Sequence, residues 1–99
     1  MEYQVIWSLN ALECIDKIGV FVVLNDGVIN AEKVVAKILD KGGRLTRFPG
    51  IGRSVPEFPG FDYRQVIAVR YRIIYEINGN AVNILSVVHS TKVLKGLET

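Results

Sequence analysis

The most constraining feature of the chain is its last patterned segment, Ala81 to Val88. Val82, Ile84, Ser86 and Val88 fall on one side of it and Asn83, Leu85, Val87 and His89 on the other, so part of it is apolar on both faces. A strand of that kind belongs inside a sheet, with one face under helices and the other under a loop, a tail or a partner. Two further β-patterned segments, Tyr63 to Ala68 and Arg70 to Ile77, precede it and supply neighbours. Asn78, Gly79 and Asn80 offer the left-handed residues that a tight hairpin needs. The earlier reversal falls near Val69, a poor turn residue, and local chemistry does not explain it.

The helices that such a sheet requires lie upstream. Ser8 is placed to cap a helix whose Ala11, Ile15, Ile18 and Val22 recur at spacings of four, three and four along one stripe. Glu13 and Lys17 stand four apart in the favourable order, worth roughly 0.2 to 0.5 kcal/mol when they pair. Asn25, Asp26 and Gly27 make a turn, and Asp26 or Asn30 can cap a second helix with Ala31, Val34, Val35 and Ile38 inward and Lys33, Lys37 and Lys41 outward. Gly42 and Gly43 stop it. Tyr3 to Trp7 reads as a strand before the helices. Residues 44–60, rich in proline and glycine, form a long connection that contains either an ordered surface loop or a short edge strand. The tail from Thr91 to Thr99 is mixed and short enough to dock as one turn. The expectation is a single α+β domain over residues 1–99, two N-terminal helices packed on an antiparallel sheet in the order β-α-α-β-β-β.

Composition narrows the function classes. At 49% apolar, 99 residues can bury a core without a metal or disulfide staple. Cys14 is the only cysteine, which excludes an internal disulfide and fits a reducing cytosol; it reads as a small semi-buried hydrophobe. The opening residues carry no basic leader and no apolar run approaches eighteen residues, so a cytoplasmic protein is expected, neither secreted nor membrane-spanning. One histidine, one cysteine and no clustered acids argue against a metal, and no glycine loop is followed by the Lys-Ser/Thr of a phosphate cradle, so no cofactor is expected. The net charge is only +2, but acidic residues gather in the first third and Arg44, Arg47, Arg53, Arg64, Arg70, Arg72, Lys92 and Lys95 come later, which allows a basic face on the second half.

Several short pieces, taken in order, are similar to a known family: Trp7 and Ser8 before a helix with Ala11, Leu12, Ile15 and Ile18, then Ile51 to Glu57, Tyr63 and Arg64, Tyr71 to Tyr75, and Ile84 to His89. This combination resembles the RelE/ParE superfamily of toxins from type II toxin-antitoxin operons, and it spans nearly the whole chain. The resemblance implies the fold expected above, a bacterial or archaeal cytosolic protein, and a cognate antitoxin whose extended or helical C-terminal segment wraps and silences it. It also implies one of two targets. RelE-like members enter the ribosome and cleave messenger RNA without a metal, whereas ParE-like members poison DNA gyrase with no known chemistry of their own. A third reading, of a different class, is an interaction protein that keeps the fold and has lost toxicity.

Carried over by motif position, the catalytic candidates are Arg64 as a phosphate clamp, His89 as proton donor or acceptor, Lys92 as added charge and Glu57 as a base. Arg53, Arg70, Tyr71 and Arg72 are the RNA-binding candidates. A structural alternative stands beside each: Arg64 and Arg72 can pair with Glu57, Asp62 or Glu76, Glu57 can simply fix its loop, Arg70 can be solvated at a turn, and His89 can be an ordinary imidazole at a strand end. The family's adjacent basic residues after the last strand are reduced here to Ser90, Thr91 and Lys92, and no tyrosine follows Tyr75.

Overall fold

The computed structural model describes residues 2–94. Its elements are β1 (Gln4–Trp7), α1 (Leu9–Asp26), α2 (Val28–Gly43), short 3-10 turns at Arg44–Thr46 and Pro49–Ile51, β2 (Arg53–Ser54), β3 (Arg64–Ala68), β4 (Tyr71–Asn78) and β5 (Ala81–His89). The strands form one sheet in the order β1-β5-β4-β3-β2, so β5 lies inside it, as its two apolar faces require. The β-α-α-β-β-β order holds, with β2 added as a two-residue edge strand inside the 44–60 connection.

The sheet is mixed rather than wholly antiparallel, because β1 runs parallel to β5 from Gln4 opposite Ala81 to Trp7 opposite Ile84. The reason is visible where β1 passes into α1. The Ser8 N–H donates to the Ile84 carbonyl, and the Ser8 hydroxyl and Asn10 amide both donate to the Leu85 carbonyl, at 3.1 and 2.9 Å. Leu85 is the extra residue of a bulge, since Ile74 faces Ser86 while Tyr75 faces Ile84. The start of α1 thus satisfies a backbone group that the β4–β5 ladder leaves unpaired.

Ser8 caps α1 by accepting from the Ala11 N–H at 3.0 Å, and Ala11, Ile15, Ile18 and Val22 are the residues that this helix buries. The second cap differs from expectation. Gly27, at φ 88°, ends α1 and starts α2 with no side-chain cap, and Asn30 instead donates to the Asp26 carbonyl. The glycine conformation makes the αα turn so tight that no residue is left over to cap. The helix α2 does end at the expected glycine pair, at Gly43, and Gly42 has a second role: a Cβ there would stand 2.5 Å from ring carbons of Trp7, so this glycine lets the helix pass against β1.

One core lies between helices and sheet, where Ile15, Ile18 and Ile38 meet Val66, Ile73, Tyr75, Val82 and Ile84. Each such aliphatic side chain contributes roughly 1.5 to 3 kcal/mol by burial. A smaller core of Val55, Ile74, Val88 and Leu94, with Phe58 and Tyr63 against it, fills the opposite face, covered by the loop before β3 and the chain after β5. A turn closed by the Lys92 N–H on the His89 carbonyl begins that final stretch; the rest of the tail beyond Leu94 lies outside the described residues. The β3–β4 reversal is made with Val69 at φ 58°, the left-handed conformation that its side chain disfavours. Among the described residues, no helix is long and apolar enough to cross a membrane.

Candidate functional site

Sheet register divides the candidate residues into three groups. At one end of the β4–β5 ladder Tyr71 faces His89, with ring centroids 5.5 Å apart and nearly perpendicular. The His89 Nδ1 accepts from the Thr91 N–H at 3.2 Å and lies 2.8 Å from the Thr91 hydroxyl. With Nδ1 accepting, the proton of the neutral ring lies on Nε2. Ser90 N–H closes the end by donating to the Arg70 carbonyl at 2.7 Å, and exposed Arg70 and Lys92 each border a cleft that His89 also lines.

A second group, Arg64 and Arg53, sits at the other end. Arg64 is paired with Tyr75 and Arg53 with Gln65, and the Arg64 guanidinium donates to the carbonyls of Gly50 and Gly52 at 3.2 Å each. Arg64 and His89 share the helix side of the sheet but stand four residues apart along β4 and two strands apart across it. At about 3.3 Å per residue and about 4.8 Å per strand, roughly 16 Å separates their backbones. A common patch containing both, which an RNA-cleaving arrangement of these residues needs, is not formed.

The third group lies on the opposite face. Arg72, only 6% exposed, meets Glu57 in a two-pronged pair at 3.0 and 2.7 Å, and also donates to the Gln65 side chain and the Lys92 carbonyl. Glu57 accepts in addition from the Leu94 N–H at 3.1 Å. The Arg72 bonds foremost, then the Leu94 N–H, hold the Glu57 carboxyl far below its usual range, at about 2. Both its oxygens are engaged, so what this group does in the folded chain is tie the loop before β3 to the segment after β5. Of the partners open to Arg72 from sequence, Glu57 is the one it meets, because the loop before β3 folds over the face that carries Gln65, Arg72 and Ile74.

From sequence Lys33 and Lys37 read as outward helix residues and Lys17 as the partner of Glu13, and none of the three was a site candidate. Two clefts flank the Tyr71–His89 pair. One, of about 520 Å³, is bordered by Cys14, Lys17, Ser86, His89 and Lys92; the other, of about 630 Å³, by Asp26, Lys33, Lys37, Arg70, Tyr71 and His89. The four-residue spacing of Lys33 and Lys37 put them on one edge of α2, but only the tilt of the helix hairpin over the sheet shows what that edge faces. Glu13 and Lys17 do not reach ion-pair distance. Among the described residues, no three of His, Cys, Asp or Glu gather as metal ligands.

Comparison with known proteins agrees with this architecture. Residues 5–94 match the model of the ParE toxin of the type II toxin-antitoxin system parDE. Among solved structures, the chain is similar to one of a chromosomal ParDE toxin-antitoxin system from P. aeruginosa, at 21% identity and a TM-score of 0.76, covering 89% of this chain and 96% of that one. It is also similar to one from the toxin-antitoxin complex RelBE2 of Mycobacterium tuberculosis, at 20% identity and a TM-score of 0.68 over 90% of this chain and 99% of that one. A mutant of the E. coli toxin RelE in the free state gives 19% identity and a TM-score of 0.65, covering 92% and 86%. At these identities the structures speak for the fold alone. No curated protein sequence matches the chain significantly. With nine-tenths of its length matched by one family and its fold shared with solved members of toxin-antitoxin systems, the chain belongs to the ParE toxin family of type II toxin-antitoxin systems.

Proposed function

We propose that this protein is a toxin held silent by a cognate antitoxin and directed at DNA gyrase. The observation that carries the reading is the separation of Arg64 from His89. Metal-free RNA cleavage needs a base, an acid and a charge-stabilising cation around one phosphate, each within hydrogen-bonding reach. Arg64 is roughly 16 Å away along and across the sheet, and the Glu57 oxygens are taken by Arg72 and Leu94. A ParE-like toxin needs a binding surface and no such assembly.

The second reading, a ribosome-dependent messenger RNA endonuclease, draws support from the proximity of His89, Lys92, Arg70 and Tyr71 at one end of the sheet. In that case Tyr71 and Arg70 hold RNA, His89 moves the proton through Nε2, and Arg64 and Arg53 act only on a distant part of the strand. Expression without the antitoxin separates the two. Growth arrest with a DNA-damage response and intact messenger RNA supports the gyrase reading. Rapid messenger RNA cleavage that disappears in His89→Ala supports the endonuclease. Normal growth with soluble protein contradicts both.

A further inference from the structure

We propose that the two clefts flanking Tyr71 and His89 form one surface that grips the phosphodiester backbone of duplex DNA. The proposal rests on the gyrase reading for its choice of DNA, and on the following geometry for the rest.

The clefts share Phe21, Tyr71 and His89 as a common ridge. Lys17 and Lys92 border one, and Lys33, Lys37 and Arg70 the other, while Asp26 is the single carboxylate bordering either. Five cations against one anion is a local concentration of charge that the overall +2 conceals. All five cations are exposed, and none forms an ion pair among the described residues, whereas Arg44, Arg47 and Arg72 each do. Concave surfaces lined by one sign of charge focus potential toward an oppositely charged ligand. The Nε2–H of His89 adds a further donor on the ridge between the two rows.

The aromatic geometry indicates which polyanion fits. Tyr71 and His89 are engaged with each other edge to face and Tyr71 is half-buried, so the ridge presents no row of parallel, unengaged rings. Of the three ridge rings, Phe21, 60% exposed, is the one without an aromatic partner among the described residues. Single strands are held by successive stacked bases on aromatic platforms, whereas contacts to a duplex backbone need donors and cations alone. Two cationic rows either side of a ridge without successive aromatic platforms match the second case.

The test is fluorescence anisotropy of a fluorescein-labelled, mixed-sequence DNA duplex two helical turns long, titrated with the full-length chain across a salt series. Binding should weaken linearly on logarithmic axes as salt rises, and Lys33→Glu with Lys37→Glu should lower affinity at least tenfold and reduce the salt slope by about 2. Lys33→Gln with Lys37→Gln should act in the same direction without introducing repulsion. Arg44→Glu with Arg47→Glu, an equal charge change outside the clefts, should leave affinity within twofold. Equal losses in the two Glu pairs, or no binding at the lowest salt, overturn the proposal. So does single-stranded RNA of the same sequence binding tenfold tighter than the duplex, or poly-glutamate competing as well as DNA does. Gyrase inhibition by a chain that does not bind the duplex overturns this surface while leaving the gyrase reading intact; duplex binding without gyrase inhibition does the reverse, retaining the surface and removing the target.

Discussion

Arg72 and Glu57 face each other fork to fork beneath the segment that follows β5, with side chains 7% and 16% exposed and a shortest contact of 2.7 Å. Fifteen positions apart, they join the loop before β3, the middle of the sheet and the backbone at Lys92 and Leu94 in one network. Removing one partner from a buried pair strands the other charge, at a cost of about 3 to 5 kcal/mol. Glu57→Ala or Arg72→Met should therefore destabilise the fold by about that amount in urea unfolding. The double variant should lose much less than the sum of the two, because no charge is left alone.

The same pair gives stability a pH dependence. The Glu57 carboxyl titrates at about 2 when folded against 4.5 when free. A depressed carboxyl adds stability that is complete above the free value and declines as pH falls through 4.5 toward 2. Up to about 3 kcal/mol is lost over that window. Denaturation profiles of the parent and Glu57→Gln should converge as the pH drops from neutrality to the bottom of this range. Parallel profiles would show that the pair carries no linkage.

Tyr75 ties a different loop. Fully buried, it donates to the Pro49 carbonyl at 2.7 Å and accepts from the Gly52 N–H at 3.0 Å, beside the carbonyls that hold Arg64. Tyr75→Phe leaves those two backbone groups without their partner, so a loss of about 1 to 3 kcal/mol is expected. Hydrogen exchange at Gly52 should quicken before any change reaches β5.

Val69 holds a left-handed backbone at φ 58°, where a β-branched residue is strained by roughly 1 to 2 kcal/mol. Val69→Gly relieves this and gives back part of the gain through a freer unfolded chain. The net expectation is a stabilisation of about 1 kcal/mol, read from the shift in thermal midpoint.

Much of the architecture was legible because it is written in local periodicity. The α1 stripe from Ala11 to Val22, the inner position of β5 and the Asn78–Asn80 hairpin each follow from neighbours within a few residues. The parallel pairing of β1 was not legible, since it depends on Ser8 and Asn10 meeting the Leu85 carbonyl at the opposite end of the chain. The same limit applies to the site. Arg72 could be given Glu57, Asp62 or Glu76 as a partner, and only the path of the loop over the sheet chooses among them. Lys33 and Lys37 were recognisable as an outward row, but the surface that they share with Arg70 exists only after the helix hairpin has been laid across the sheet.

The toxin proposed above binds gyrase and does no chemistry on RNA. The most direct test of this is a supercoiling assay with purified gyrase and relaxed plasmid, run with the parent, Arg64→Ala and His89→Ala, beside a translating-ribosome cleavage assay using the same three proteins. The parent should inhibit supercoiling and leave messenger RNA whole, and Arg64→Ala should retain inhibition. Messenger RNA cut by the parent and spared by both variants, with supercoiling unaffected throughout, would contradict it.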